Sequence, residues 1–248
     1  MIDFNLSEEQ QLLKQTARDF AQNELLDGVI ERDQNKIWPK EQIKKMSDLG
    51  FLGMMASPKW NGGGMDTISY SIAMEEISAV DASAAVVMSV NNSLVCYLIE
   101  HFGNDFQKDK YLSKLTTGKN LGAFSLSEPQ SGSDASNMIT TATKDGDNYI
   151  INGTKNWVTN GINSNIVLVF AVTEKGIGHK GISCFIVEKE FKGFAVGKKE
   201  DKLGIRSSDT CELYFDNVKV PEENLIDTEG AGFKIALNTL DGGRIGIA

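Results

Sequence analysis

Apolar residues in the first half of the chain recur at helical spacing. Leu13, Ala17, Phe20 and Ala21 make one stripe, the period of an amphipathic helix with a single buried face. Ser7 and Gln10 precede it as a capping box, which ties down exposed N–H groups of the first turn. Pro39 suits a first helical turn, where its missing N–H costs nothing. Ile43, Met46 and Leu49 follow on one side, and Gly50 suits the exit. Asn61-Gly62-Gly63-Gly64 breaks the pattern and reads as a flexible loop. A further helix is expected over 67–78. The stretch 82–99 is apolar around most of its girth, the mark of a helix at the centre of a bundle. Another helix is expected over 105–115, ending near Gly118.

After about Lys119 the period changes. Lys144-Asp145-Gly146-Asp147 lies between 139–143 and 149–151 and reads as a hairpin turn. The apolar runs 165–172 and 181–187 read as strands. Over 210–215, Cys211, Leu213 and Phe215 alternate with Thr210, Glu212 and Tyr214, the period of a half-buried strand. Residues 217–220 extend it until Pro221 stops it. From Glu229 the helical period returns, with Phe233, Ala236, Leu237 and Leu240 on one face. No internal repeat is present. The layout is α+β and multidomain: a helical domain over 1–118, a β-sheet or β-barrel domain over 119–228, and a helix over 229–248. That last helix is either the start of a further domain or a terminal helix docked on the rest, and the pattern leaves the two even.

The chain has 248 residues, 25 basic against 34 acidic, for a formal charge of -9. Without a dense basic block, nucleic acid is not expected as a partner. Cys96, Cys184 and Cys211 are far apart and form no CxxC pair, and His101 and His179 are the two histidines. Disulfide scaffolds and metal centres are therefore poorly supplied. The N-terminus carries acids where a secretion signal carries bases. The longest apolar run, near 82–90, is too short to span a bilayer. A cytoplasmic protein without membrane attachment is expected.

Several segments offer chemistry. Gly176-Ile177-Gly178-His179-Lys180-Gly181 matches GxGxxG, but a second strand follows it instead of a helix, so it offers no helix terminus to a pyrophosphate. His179 there reads as solvated. Leu126-Ser127-Glu128-Pro129-Gln130-Ser131-Gly132-Ser133-Asp134 crowds hydroxyls and backbone donors into one loop, suited to phosphate or heteroaromatic carbonyls and equally to a polar surface turn. Glu128 is a candidate base, or a cap. Trp157 and Thr159 share a face if extended and could hold a planar cofactor. A half-buried core tryptophan is the favoured alternative, about two to one. Arg206, in Leu203-Gly204-Ile205-Arg206-Ser207-Ser208, suits a phosphate or a salt bridge. Asp241 and Arg244 share a helix face and suit a long polar ligand, or each other. Gly242 and Gly243 inside that helix cost about 1 kcal/mol each relative to alanine, which points to something passing close to the backbone.

Four of these segments in this order resemble the acyl-CoA dehydrogenase family, in its short-chain or butyryl-CoA branch. They are Leu126-Ser127-Glu128-Pro129 with Gly132-Ser133-Asp134, then Ile151-Asn152-Gly153-Thr154-Lys155 with Trp157-Val158-Thr159-Asn160-Gly161, then Lys202-Leu203-Gly204-Ile205-Arg206, and finally the run from Thr239 to Ala248 containing Asp241-Gly242-Gly243-Arg244. The resemblance implies a helical domain, a middle β domain and only the first helix of a C-terminal bundle, so that about a third of the family length is absent. It implies FAD, held by Phe124, Ser125, Leu126, Ser127, Glu128, Pro129, Gln130, Ser131, Gly132 and Ser133 and by Trp157, Val158 and Thr159. Ser133 would stand where cofactor and thioester meet, and Asp241, Gly242, Gly243 and Arg244 would meet the CoA moiety. Gln130 departs from the glycine of many relatives. The implied reaction is dehydrogenation of a short-chain acyl-CoA to the trans-2-enoyl-CoA, with electrons passed to an electron-transfer flavoprotein by a homotetramer. The implied base is a glutamate beyond Ala248, since Gly243 occupies the position used by a smaller branch. This chain alone is then expected to be inactive. Alternatives are an acyl-CoA oxidase-like enzyme and a non-catalytic acyl-CoA- or flavin-binding fragment.

Overall fold

The structure, a computed structural model, describes residues 5–248. Residues 1–4, which open both the acidic N-terminus and the 1–118 helical domain discussed above, lie outside it. Helix α1 (Glu8–Phe20) begins at the expected capping box, with Gln10 N donating to Ser7 Oγ at 3.2 Å and Ser7 N to Gln10 Oε1 at 3.1 Å. Ala17, Phe20 and Ala21 are buried beside Leu25 in the π turn that follows. After α2 (Val29–Asn35), α3 (Lys40–Asp48) starts one residue past Pro39 and buries Ile43 and Met46. Leu49 departs from its expected stripe because α3 has ended and the chain turns at Gly50, which leaves it 50% exposed.

The glycine run is tied to the 53–56 segment by backbone hydrogen bonds. Gly63 N donates to Gly53 O (2.9 Å), Gly64 N to Ala56 O (2.8 Å) and Met65 N to Met54 O (2.9 Å). A Cβ on Gly62 would sit 2.0 Å from Ala56 O, so this glycine serves a close backbone approach.

Helix α4 (Thr67–Ser78) is capped by Asp66. Beyond it α5 (Ala82–Ser89) runs through a π segment (Val90–Cys96) into α6 (Tyr97–Phe102). The resulting rod, Ala82–Phe102, is longer than the apolar run picked out from the sequence. By length and composition it could cross a membrane, but it is mostly buried inside the protein. Asn91 and Asn92 interrupt its apolar surface, and both are fully occupied. Asn91 Nδ2 donates to Leu52 O (2.8 Å) and its Oδ1 accepts from Gly122 N (3.0 Å), while Asn92 bonds Met54 N and Phe51 O (2.7 Å each). A buried amide must find such partners, and here the partners fix a loop and the first strand to the rod. Helices α7 (Asp105–Gln107) and α8 (Ser113–Thr116), joined by a π turn, close this half.

Eight strands among the described residues form one mixed sheet: β1 (Gly122–Ser125), β2 (Thr141–Asp145), β3 (Asn148–Thr159), β4 (Ile166–Val172), β5 (Ile182–Glu188), β6 (Phe194–Lys199), β7 (Thr210–Pro221) and β8 (Leu225–Ile226). Their order is β6-β7-β3-β2-β4-β5-β8, with β1 parallel to β4. Strand β4 is buried on both faces, which explains its unbroken apolar run. Ile166, Leu168 and Phe170 pack with Leu98, Ile99 and Leu112 of the helical half, while Val167, Val169 and Ala171 pack with Tyr149, Ile151 and Leu213. The hairpin at Gly146 is present, but β2 starts at Thr141 and leaves Ile139 69% exposed. Edge strand β6 shows no apolar alternation and was not foreseen. All three cysteines are buried and free.

Helix α9 (Gly232–Ile247) buries Gly232, Ile235, Ala236, Thr239 and Gly243. Of the expected face, Ala236 is buried, Phe233 packs half-buried against the core and Leu240 is half-buried, whereas Leu237 is turned away, 47% exposed. Close packing selected the small residues: a Cβ on Gly232 would lie 2.6 Å from Ser183 C, and one on Gly243 2.7 Å from Leu94 Cδ2. The observed architecture is a helical domain, then a β domain, then a single C-terminal helix.

Candidate functional site

Strand β1 ends at Ser125, and the chain then makes a tight turn. Glu128 N donates to Ser131 O (2.8 Å) and Ser131 N to Glu128 O (3.1 Å), leaving Pro129 and Gln130 exposed at the tip. Ser131 is buried and donates from Oγ to Asp134 O (2.7 Å), while Gly132 and Ser133 are exposed. Phe124 stacks tilted on Phe170 at 5.0 Å, and Leu126 and Ser127 are half-buried.

Beside this loop β3 is bulged. Its pairing with β7 shifts register between Lys155 and Val158, and Trp157 takes a φ of 61°. A bulge re-aims the side chain at its apex. Trp157 is accordingly 61% exposed while Val158 faces the core, so the expectation of a half-buried core tryptophan is overturned. The left-handed backbone of a bulky residue costs about 1–2 kcal/mol. Asn156 N donates to Ser127 O at 3.0 Å, which fastens the bulge to the loop. Thr159 is half-buried two residues on. Val158 and Ser125 are themselves buried.

The arrangement is an uncovered indole beside a loop of donors. In the same segments Ser125 Oγ at the end of β1 and Asn156 Oδ1 in the bulge are buried without hydrogen-bond partners, as is Thr140 Oγ1 near Gly153, although buried polar atoms normally have them. An apolar platform with unused polar capacity nearby fits a planar heteroaromatic cofactor such as a flavin.

Glu128 faces away from that platform. Its carboxylate is fully buried and accepts from Lys155 Nζ (2.9 Å), Ile139 N (2.7 Å), Thr140 N (3.0 Å) and Gln130 Nε2 (2.6 Å). Burial pushes its pKa up, but Lys155 and the Ile139 N–H outweigh burial and hold it below the usual carboxylate value. Glu128 is thus neither a base nor a side-chain contact to a ligand: every lone pair is spent inside. Lys155 also donates to Leu126 O at 3.0 Å. Burial lowers its pKa to about 8 against the opposing pull of Glu128.

The other candidates lie elsewhere. Arg244 Nη1 donates to Asp241 Oδ1 at 2.9 Å on the exposed face of α9, an intrahelical ion pair. A Cβ on Gly243 would meet Leu94 Cδ2 at 2.7 Å, and one on Gly242 would meet nothing within 4 Å. Arg206 is engaged by Asp33, through its N–H, and by Asp201. The GxGxxG match is a short 3-10 turn between β4 and β5.

Sequence profiles of the acyl-CoA dehydrogenase N-terminal domain and middle domain match residues 7–119 and 123–218. The chain belongs to the acyl-CoA dehydrogenase family. The short-chain-specific acyl-CoA dehydrogenase of Clostridium acetobutylicum is 47% identical over 247 residues, 100% of this chain and 65% of that protein. The butyryl-CoA dehydrogenase structure from Megasphaera elsdenii is 46% identical with a TM-score of 0.96, over 99% of this chain and 65% of that one. A glutaryl-CoA dehydrogenase from Mycobacterium smegmatis, solved in complex with FADH2, is 33% identical with a TM-score of 0.90, over 97% of this chain and 61% of that one. The chain therefore spans just under two thirds of the length of these relatives.

Lys155 is the site residue that sequence reasoning passed over. A charged residue in a strand reads as solvated. Yet Tyr149, Ile151, Gly153 and Lys155 share one parity along β3, and that alternation already pointed the lysine inward.

Proposed function

We propose that the chain is the flavin-binding front part of a short-chain acyl-CoA dehydrogenase, acting on a butyryl-CoA-like thioester with FAD. The observation that carries this reading is Trp157, turned outward by a bulge beside the 124–133 loop. Trp157 would pack on the isoalloxazine, Thr159 would donate to the ring, and Ser127 and the loop backbone would bond its pyrimidine edge. Bound FAD supplies the hydride acceptor. The chain's own part is to orient the ring and keep one face dry. Exposed Ser133 would meet the thioester, and Arg244 would exchange its bond to Asp241 for the CoA moiety.

Removing the α proton needs a free carboxylate. Glu128 is spent in its buried network and Asp241 is paired, so this reading places the base outside the present chain. The whole protein would be a cytoplasmic homotetramer that passes electrons to an electron-transfer flavoprotein. The lack of a free carboxylate among the proposed ligand-binding residues also favours a second reading for the isolated chain, a non-catalytic binder of acyl-CoA and flavin. The test is anaerobic addition of butyryl-CoA to the FAD-loaded chain, followed at the flavin band near about 450 nm. No bleaching is expected. Bleaching by a chain of verified mass would sink the placement of the base. Rapid reoxidation of the reduced whole protein by air would favour an oxidase instead.

A further inference from the structure

The flavin reading rests on two separate pieces of chain, the 126–133 loop and the bulge at Trp157. One buried contact joins them. Lys155 Nζ reaches from β3 to Leu126 O (3.0 Å) and Glu128 Oε1 (2.9 Å), and both side chains are completely buried. The Glu128 carboxylate passes the connection on to Ile139 N and Thr140 N, where the loop returns to the sheet at β2. The loop is thus held at its entry, its turn and its exit by one charge cluster. Lys155 stands two residues before Trp157, at the start of the register shift that turns the indole outward. Neither charge touches the exposed platform.

We propose that Lys155 and Glu128 are positioning residues for the flavin: their ion pair sets the 126–133 loop against Trp157, so that donors and indole present one preformed surface. The proposal rests on the flavin reading above. A charge-assisted contact in a dry site is stiff and directional, whereas a neutral pair of the same size fills the space without fixing the Leu126 carbonyl. Burial lowers the Lys155 pKa and the facing carboxylate opposes that change. Cys184 on β5, the other titratable group acting on the lysine, is itself pushed up by burial and stays a neutral thiol.

The test uses the 248-residue chain and the Glu128→Gln/Lys155→Met double variant. The double variant keeps the side-chain volumes and one carboxamide oxygen, so one of the Ile139 and Thr140 N–H groups keeps its acceptor, while both charges are removed. Two readouts are taken on protein shown to be folded by far-UV circular dichroism. The first is amide hydrogen exchange of the apo chain. Exchange is expected to rise in 126–133 and 156–159 and to stay unchanged in β4. The second is FAD titration with the visible circular dichroism of the bound flavin. The double variant is expected to bind at least about tenfold more weakly, with an altered flavin signal. Unchanged exchange in the loop overturns the proposal. So does a double variant that binds FAD with the affinity and flavin signal of the unaltered chain, since the pair would then be fold support alone. If the unaltered chain takes up no FAD, the flavin reading of this chain fails, and loop exchange still decides whether the pair holds the surface. A double variant that does not fold is replaced by Lys155→Arg. Arginine keeps the charge and is expected to preserve loop protection; loss of protection with the charge retained also overturns the proposal.

Discussion

Removing one charge of the Lys155–Glu128 pair strands the other in a dry interior, and the structure sets the size of the two losses. In Lys155→Met, Glu128 keeps the N–H groups of Ile139 and Thr140 and the amide of Gln130. Its alternative is to take up a proton, which at pH 7 costs about 3.7 kcal/mol from a reference pKa of about 4.3. That is a ceiling, and the three retained donors bring the expected loss to about 2–3 kcal/mol. In Glu128→Leu, Lys155 is left with the Leu126 carbonyl and the Met138 sulfur. Giving up its proton costs about 4.6 kcal/mol from a reference of about 10.4, and two backbone N–H groups lose their acceptor at about 1–3 kcal/mol each. Glu128→Leu should therefore be clearly the worse, at about 5 kcal/mol or more. The neutral Glu128→Gln/Lys155→Met pair should lose less than the sum of Glu128→Gln and Lys155→Met measured singly, by at least about 1 kcal/mol. Urea unfolding at pH 7, followed by circular dichroism, measures all of these. A Lys155→Met chain within about 0.5 kcal/mol of the unaltered protein, or strictly additive single and double changes, would refute the account of a coupled buried pair.

Trp157→Gly relieves a left-handed backbone at an exposed site, so the apo melting temperature should hold or rise while FAD affinity falls at least about tenfold; a fall in apo stability of more than about 1 kcal/mol would mean that the indole is packed. Gly242→Ala, with nothing within 4 Å, should stabilise α9 by about 0.5–1 kcal/mol in thermal unfolding. Gly243→Ala should forfeit that gain against Leu94, and equal shifts for the two would contradict the packing described. Glu76 is held below its usual pKa by its hydrogen bond to Arg18, opposed by burial. Its contribution is therefore present above 4.5 and lost as pH falls through the depressed folded value. Glu76→Gln should flatten the acid limb of a stability–pH profile below 4.5, and an unchanged limb would show that the pair is idle.

Much of the fold was legible locally. The capping box at Ser7, helix 67–78, the β4 run and the alternation of β7 follow from short-range geometry and the need to hide apolar side chains, which neighbouring residues settle among themselves. The order of four motifs marked the family before any coordinate. Tertiary structure decided what depends on distant partners. The face of α9 was misread in part: Ala236 is core as expected, but Leu237 is not, and close approach to β5 and Leu94 set Gly232 and Gly243 on the buried face with Ile235 and Thr239. The exposure of Trp157 depends on a register shift against β7, and register belongs to a pair of strands, not to one. Glu128 looked like a base because a carboxylate in a polar loop carries no local sign of burial. Its role was decided by a lysine 27 positions away and two backbone N–H groups beyond the loop. Composition and period determine which segments form and which are buried. Which polar groups meet, and hence which remain free for a ligand, is decided only when the sheet and the helices close on one another.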